Sequence, residues 1–329
     1  MRARVVAGMP RDVVAIGKCA GGLVDGVASA IEIHDAFVAI PEGYRLPRTR
    51  AEVHVGGHPF MTPASFAAGS ALLAFVAAHR DVLFLISGGG SACVEVALAP
   101  FTDDEVAEAN ARLIASGLPI GAINAGRRRR SAIKGGRLRA HVRGRAVTLV
   151  YSDVATGALA DVASGPTVTG PDDAILIADN STLVRAAAQI IGERAVVLDA
   201  QIEGDVAEAA AMLAARAAAL APGQILVAGG EPTVAIHGGG RGGRCSELAV
   251  RFAAQSPCEA LFGSSDGVDG NSGAAGIALP RRGKAGLPDG WEAALAVSDS
   301  YRIAAQVGEP IMIAPTGNNL RDLFLVARD

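Results

Sequence analysis

Val82-Leu83-Phe84-Leu85-Ile86 runs straight into Ser87-Gly88-Gly89-Gly90-Ser91, and the fold turns on this junction. Five apolar residues with charge before them and glycine after them describe a strand buried on both faces, at the centre of a parallel sheet. Three glycines between two serines leave bare backbone N–H groups flanked by hydroxyls. Such a loop cradles a phosphate or carboxylate at a strand's carboxyl end, and the same composition also makes a plain tight turn. Ser87, Gly88, Gly89, Gly90 and Ser91 are therefore candidate anion ligands, weighed against what the neighbouring strands end in.

Outward from this strand the pattern repeats. Val13 to Ile16 is a short apolar run followed by Gly17-Lys18-Cys19-Ala20-Gly21-Gly22 and a helical period to about Ile33. Lys18 falls on the first strand-to-helix turn, where open α/β sheets bind ligands. The turn is not a Walker A loop, because Asp12 and Cys19 stand where glycine and a hydroxyl belong. Ala36 to Ile40 and Glu52 to Val55 read as further strands, the latter ending in Gly56-Gly57-His58-Pro59; His58 is a second-rank acid, base or ligand. A helix from about Pro63 to Ala78 then leads back to the central strand, completing a β-α-β alternation of the doubly wound kind.

Thr102 with Glu105 three residues on forms a capping box for a helix to about Ser116, and a second helix follows over Ile120–Ala132. Asn124, Arg127 and Lys134-Gly135-Gly136 look like a phosphate clamp, with surface charge the bland alternative. Val147 to Tyr151 ends in Ser152-Asp153-Val154, a carboxylate at a strand end that fits magnesium ligation, a catalytic base or a helix cap. An almost wholly Ala/Leu helix, over about 204–220, stops at Pro222-Gly223, which divides the chain into 1–222 and 223–329.

In the second part Ile225-Leu226-Val227-Ala228 ends in Gly229-Gly230-Glu231, and the alternating Thr233-Val234-Ala235-Ile236 suggests a hairpin-like pair. Gly238-Gly239-Gly240-Arg241-Gly242-Gly243-Arg244 precedes a helix to about Ala254. It formally contains GxGxxG, although Arg241 and Arg244 favour a bare anionic group over a dinucleotide fold. Gly263 to Gly270 carries Asp266 and Asp269 without the spacing of an EF-hand. Ser300-Tyr301 opens a helix, and Ile311-Met312-Ile313 runs to Pro315-Thr316-Gly317-Asn318-Asn319.

Composition narrows the class. The 329 residues exceed the roughly 250–300 at which single cores stop growing, so two domains are expected. A net charge of −3 gives no global pull toward nucleic acid or an anionic membrane. The four cysteines lie far apart with no CxxC pair, which points to a reducing cytoplasm instead of a disulfide framework. No apolar run approaches the ~20 residues of a membrane span, and Met1 to Val5 lacks the apolar segment of a signal peptide. Strand after strand ends in glycine, hydroxyl, acid or base, the layout of a cleft for magnesium and a polyphosphate.

These motifs, in this order, resemble the MOFRL-type glycerate 2-kinases. The resemblance rests on Gly17-Lys18, Gly57-His58-Pro59, Ser87 to Ser91, Ile133-Lys134-Gly135-Gly136, Ser152-Asp153-Val154, Ala163-Ser164-Gly165-Pro166-Thr167, Gly229-Gly230-Glu231, Gly240 to Arg244, Asp266 to Gly270 and Pro315-Thr316-Gly317. It implies a Rossmann-like α/β/α first domain, a smaller mixed α/β second domain, and a site in the cleft between them. It further implies ATP- and magnesium-dependent phosphorylation of the 2-hydroxyl of D-glycerate or a related hydroxy acid. On that likeness Lys18 and Arg244 hold glycerate or the transferring phosphoryl group, Asp153 is catalytic, and Asp153, Glu231 and Asp266 serve magnesium. Ser87 to Ser91, Asn124, Lys134, Arg241, Thr316, Gly317 and Asn319 meet nucleotide or substrate; no nucleic acid or membrane partner is implied, and a homodimer is allowed.

The chain departs from the family pattern at several points. Thr156-Gly157-Ala158 stands where the family usually has Gly-Asp-Asp, Cys245-Ser246 replaces Asn-Gln, and Arg129 sits at a usual histidine. Gly273 replaces an Asp, Asn318 a Thr and Arg321 an Asn. Fewer acids lower cation affinity. A catalytically altered paralogue that binds a nucleotide or phosphorylated metabolite is thus one alternative, and a nicotinamide-dependent hydroxypyruvate reductase, resting on GxGxxG alone, is another.

Overall fold

The computed structural model describes residues 8–154, 159–281 and 286–328, which form two compact units, 1–177 and 178–329. The expected break at Pro222-Gly223 is a turn inside the second unit. Residues before it are held there because β7 (Ala195–Val197) pairs with β8 (Ile225–Gly230) across the turn.

The first unit is built on six strands: β1 (Asp12–Ile16), β2 (Ala36–Pro41), β3 (Glu52–Gly56), β4 (Val82–Ser87), β5 (Ala146–Tyr151) and β6 (Ile175–Ala178). Their order in the sheet is β3-β2-β1-β4-β5-β6, with β1 through β5 parallel. This is the doubly wound Rossmann order, whose direction of winding reverses between β1 and β4. Every residue of β4 is buried, as its unbroken apolar run predicts.

Alternation along the strands sorts the core into two faces. Val13, Ala15, Val38, Leu83 and Leu85 meet Val24 and Val27 of α1 (Ala20–Ala28) on one face. Val14, Ile16, Phe37, Phe84 and Ile86 meet Leu72, Phe75 and Val76 of α2 (Pro63–Ala78) on the other. Each large side chain buried this way contributes about 1.5–3 kcal/mol, so the central strands dominate the stability of this unit. Short helices α3 (Gly90–Cys93), α4 (Asp103–Ala115) and α5 (Ile120–Arg128) follow β4. The capping box expected on α4 is formed: Thr102 Oγ1 accepts from Glu105 N at 3.3 Å and Glu105 Oε2 accepts from Thr102 N at 2.8 Å.

The second unit opens with α6 (Asn180–Ile191), β7 and α7 (Val206–Ala218), then β8, α8 (Arg244–Ala253), β9 (Glu259–Ser264) and β10 (Gly276–Leu279). It closes with α9 (Trp291–Ala296), α10 (Ser300–Val307), β11 (Glu309–Ile311) and β12 (Asp322–Ala327). The sheet order is β11-β10-β9-β12-β8-β7; only β7 and β8 run parallel and the other pairs are antiparallel. This is the mixed α/β domain that the resemblance implied. One expectation fails: Thr233 to Ile236 is not a strand. Thr233 makes a single bridge to Asp205, its N–H bonding Gly204 O while its carbonyl accepts from Val206 N, and Pro232 beside it has no N–H to offer a ladder.

At the amino edge of the first sheet His79 closes α2. Its Nδ1 lies 2.8 Å from Phe75 O and its Nε2 lies 3.2 Å from Asp35 Oδ2, with Asp12 beside them. Burial opposes the imidazolium, but the Phe75 carbonyl and the two carboxylates outweigh it, so the His79 pKa is raised above 6.5. A raised folded pKa adds stability that is complete below the unfolded value and disappears as pH rises through the folded one. Urea unfolding of the wild type and His79→Gln should therefore show a stability gap at about pH 5.5 that has closed at about pH 8.5. An equal gap at both pH values would mean that the proton contributes nothing.

Candidate functional site

The turns after β1 and β4 are laced together where the sheet reverses. Lys18 N donates to Gly88 O at 2.8 Å, Cys19 N donates to Ser87 Oγ at 3.1 Å, and Ser87 Oγ donates to Ile16 O at 3.2 Å. Ser87 is thus a fully buried staple, not a ligand-facing hydroxyl. Gly89 has φ 80°, and a Cβ there would meet the Lys18 stem at 2.7 Å. A Cβ on Gly88 would fall 1.6 Å from Asp153 Oδ2, so the triple glycine is what lets Lys18 and Asp153 approach the loop from its two ends. Ser91 Oγ lies 2.8 Å from Ser164 Oγ.

Lys18 Nζ lies 5.6 Å from the centroid of the Tyr44 ring, and among the described residues no carboxylate pairs with it. Arg127 is similar: its Nε donates to Asn110 Oδ1 at 2.8 Å and its Nη1 to Asn124 Oδ1 at 3.3 Å, both neutral amides. Burial lowers the Arg127 pKa, yet at this residue type the charge persists. His58 feels both cations. Crowding by the protein, then Lys18 and Arg127, lower its pKa to about 4, although part of the ring stays exposed. The result is a neutral imidazole beside two cations that form no ion pair among the described residues, Lys18 being next to a loop rich in N–H donors.

Two expected ligands of this unit face inward instead. Lys134 is 1% exposed; its Nζ lies 2.5 Å from Oε2 of Glu95, which also accepts from Ser131 Oγ and Val96 N through its other oxygen. A carboxylate with no exposure demands a counter-charge, and Lys134 supplies it. Asn124, also 1% exposed, bonds Asp161, Ser164 and Arg127 and so positions the Arg127 guanidinium without itself facing a ligand. Thr156-Gly157-Ala158 lie outside the described residues.

In the second unit the glycine-rich run and the strand ends border a cavity of about 730 Å³ that reaches Glu231, Arg244, Asn271 and Arg321. Arg244 is bidentate on Asp322, Nε to Oδ2 at 2.6 Å and Nη2 to Oδ1 at 3.2 Å, and pairs with Glu231 at 3.0 Å. Burial pushes the Asp322 carboxyl up to about 6 while Arg244 pulls it down; the guanidinium in turn gains, and its pKa is raised. Glu231 is shared with Arg321, whose Nε lies 3.0 Å from Oε2, and Arg321 also forks onto Glu203. Glu231 is held between two guanidiniums, which compete with its expected role as a magnesium ligand.

The remaining expected residues split. Asp266 Oδ1 accepts from Ser264 Oγ at 2.8 Å and Val268 N at 2.9 Å, and its carbonyl accepts from Thr316 N at 2.9 Å. Thr316 Oγ1 donates to Ser265 O at 2.6 Å, Gly317 takes φ 68°, and Asn319 Oδ1 accepts from Arg321 N, so this loop and Asp266 form one corner. Arg241 is exposed and stacks on Tyr301 at 4.5 Å; it does not itself border the cavity, although its neighbours Gly240 and Gly242 do. Gly238 to Gly243 does precede α8, but it follows coil where a dinucleotide fingerprint needs a strand, and Asp269 occupies the helix start by accepting from Cys245 N and Ser246 N at 2.9 Å each. That placement removes the structural context of the nicotinamide reading.

The DUF4147 family model, a domain of unknown function, matches residues 9–193, and the MOFRL family model matches residues 224–322. The chain belongs to the MOFRL-type glycerate 2-kinase family. A Pyrococcus horikoshii glycerate 2-kinase is 28% identical over 95% of this chain and 86% of its own. An Agrobacterium vitis protein named for hydroxypyruvate reductase activity is 30% identical over 94% and 97%. Among solved structures, a Thermotoga maritima glycerate kinase superposes with TM-score 0.87 at 24% identity over 98% of this chain and 92% of that one. The similarity confirms the Rossmann-like fold with its second mixed domain.

For a member of this glycerate 2-kinase family, sequence reasoning missed Asp322, Arg321 and Glu203 and ranked His58 too low. Asp322 opens an apolar strand, where Asp153 follows the end of one, so the cue that singled out Asp153 did not reach it, and its pairing with Arg244, 78 residues away, leaves no local trace. NMR titration of the histidine rings checks the electrostatics: His58 should titrate near pH 4 and His79 above 6.5. Lys18→Met should move the His58 midpoint upward, and an unchanged midpoint would remove Lys18 from its surroundings. Separately, Lys134→Met should cost about 3–5 kcal/mol in urea unfolding by stranding Glu95, and adding Glu95→Leu should recover most of it.

Proposed function

We propose that the protein is an ATP- and magnesium-dependent kinase that phosphorylates the 2-hydroxyl of D-glycerate or a close hydroxy-acid relative, in the cytoplasm. One observation carries the reading in this chain: Lys18, without a carboxylate partner among the described residues, stands beside the Ser87–Ser91 loop, and Arg127, likewise without one, is tied to that loop through Asn124, Ser164 and Ser91. Phosphoryl transfer needs little covalent help from a protein; it needs fixed cations and N–H donors where charge spreads over the phosphoryl oxygens. Lys18 and Arg127 supply the charge, and the N–H groups of the triple glycine supply directed donors. Within the second unit, Arg244 is a cation of set orientation, fixed by Asp322.

Magnesium in such reactions is typically held by one or two carboxylates together with the phosphates. Asp153, which approaches Gly88, and Asp266, at the Thr316 corner, fit that requirement, and Glu231 does not. The bound ion would neutralise phosphate charge. A neutral His58 adds no charge to this field but can accept a hydrogen bond from a substrate hydroxyl.

Coupled detection of ADP with ATP, magnesium and a panel of hydroxy acids tests the proposal. Turnover with D-glycerate or a near relative is expected, and Lys18→Met should lower kcat/KM by about 100-fold or more. No ADP above background with any acid would sink it. Oxidation of NADH on adding hydroxypyruvate would favour the reductase activity for which the Agrobacterium relative is named.

A further inference from the structure

A second, smaller cavity of about 310 Å³ lies in the second unit, among α6, β7 and the end of β8. Asn180 and Gln201 both border it, and each carries a buried polar atom without a hydrogen-bond partner, Asn180 Oδ1 and Gln201 Nε2. Their orientations are fixed from behind. Asn180 Nδ2 donates to Leu320 O at 2.7 Å and Asp322 O at 2.9 Å, so its oxygen must be the orphan. Gln201 Oε1 accepts from Arg321 Nη1 at 2.5 Å, so its NH2 must be the orphan. Asn180 is 1% exposed, and native proteins rarely leave such atoms unmet.

The two orphans have opposite sense and flank one residue. Asn180 Oδ1 would lie 2.2 Å from a Cβ on Gly229, and Ile202 N, next to Gln201, donates to Gly229 O at 2.9 Å. The lining holds one cation, Arg185, and one anion, Asp199, so it favours an uncharged group over a phosphate or carboxylate. Val184, Val197 and Leu198 add apolar wall.

We infer that this cavity is a nucleobase subsite, in which adenine donates from its exocyclic amine to Asn180 Oδ1 and accepts at a ring nitrogen from Gln201 Nε2. The inference rests on the kinase reading for the choice of adenine. Through Gln201 and Arg321 the subsite is joined to the ion-pair chain that borders the larger cavity, so a base held here adjoins the anion-handling side chains of the same unit.

Calorimetric titration of the full chain with adenosine, which carries no phosphate, tests the subsite apart from any phosphate contact. Adenosine should bind, purine riboside without the amine should bind about tenfold more weakly, and Gln201→Glu should weaken adenosine by a similar factor. Gln201→Glu keeps the oxygen that Arg321 needs, so its melting temperature should hold. Absence of adenosine binding, or binding indifferent to Gln201→Glu, overturns the subsite even if ADP release shows that the kinase reading stands. Binding that is sensitive to Gln201→Glu in a protein that releases no ADP would retain the subsite and discard the kinase.

Discussion

The three hydrogen bonds between the turn after β1 and the turn after β4 are the constraint on which the first unit's chemistry depends. A parallel sheet reverses its direction of winding at one place, and the helices leaving the two strands there must go to opposite faces. They do: α1 packs with the Val13 and Leu83 face, while Cys93 of α3 packs with the Phe84 and Ile86 face. The turns therefore diverge and would leave a gap; Ser87 closes its floor from beneath. What remains above is backbone, and glycine is required there because any side chain would displace Asp153 or Lys18.

Charge is handled oppositely in the two units. In the first, among the described residues, Lys18 and Arg127 form no ion pair, Arg127 feeling Glu95 only through space, and His58 beside them is held neutral, a local lean toward positive charge. The second compensates: Asp322 and Glu231 hold Arg244, and Glu231 and Glu203 hold Arg321. A compensated guanidinium recruits anions less strongly but is aimed better, since a bidentate partner fixes its plane. Arg321 also sits at φ 65°, an unusual conformation for a side chain with a Cβ, and its several charge-assisted bonds hold it there.

Strands β1 to β5 and β8, with the loops at their ends, were legible in the sequence because each is a short apolar run closed by a turn, whereas β6, β10 and β12 were not placed. The failures share a cause. Lys134 read as a phosphate clamp because its partner Glu95 is 39 residues away, and a buried pair leaves no local trace that distinguishes it from an exposed lysine. Glu231 read as a metal ligand for the same reason, its two arginines lying far along the chain. Thr233 to Ile236 shows the converse: a correct strand alternation lost its ladder to Pro232 and to the Gly204 turn.

The departures from the family pattern acquire a common direction once these pairs are known. Arg321, where the resemblance leads one to expect Asn, adds a second guanidinium to Glu231, which Arg244 already pairs. Gly273, where an Asp is expected, leaves room beside the Arg241 guanidinium, which stacks on Tyr301 instead. One change adds a cation beside a carboxylate and the other removes a carboxylate, and under the kinase reading both would weaken the protein's own hold on a divalent ion. Under the kinase reading the phosphates themselves must then supply much of the ion's coordination, as magnesium sites that keep few protein ligands do. Under that reading Lys18 and Arg127 would carry correspondingly more of the phosphate recognition.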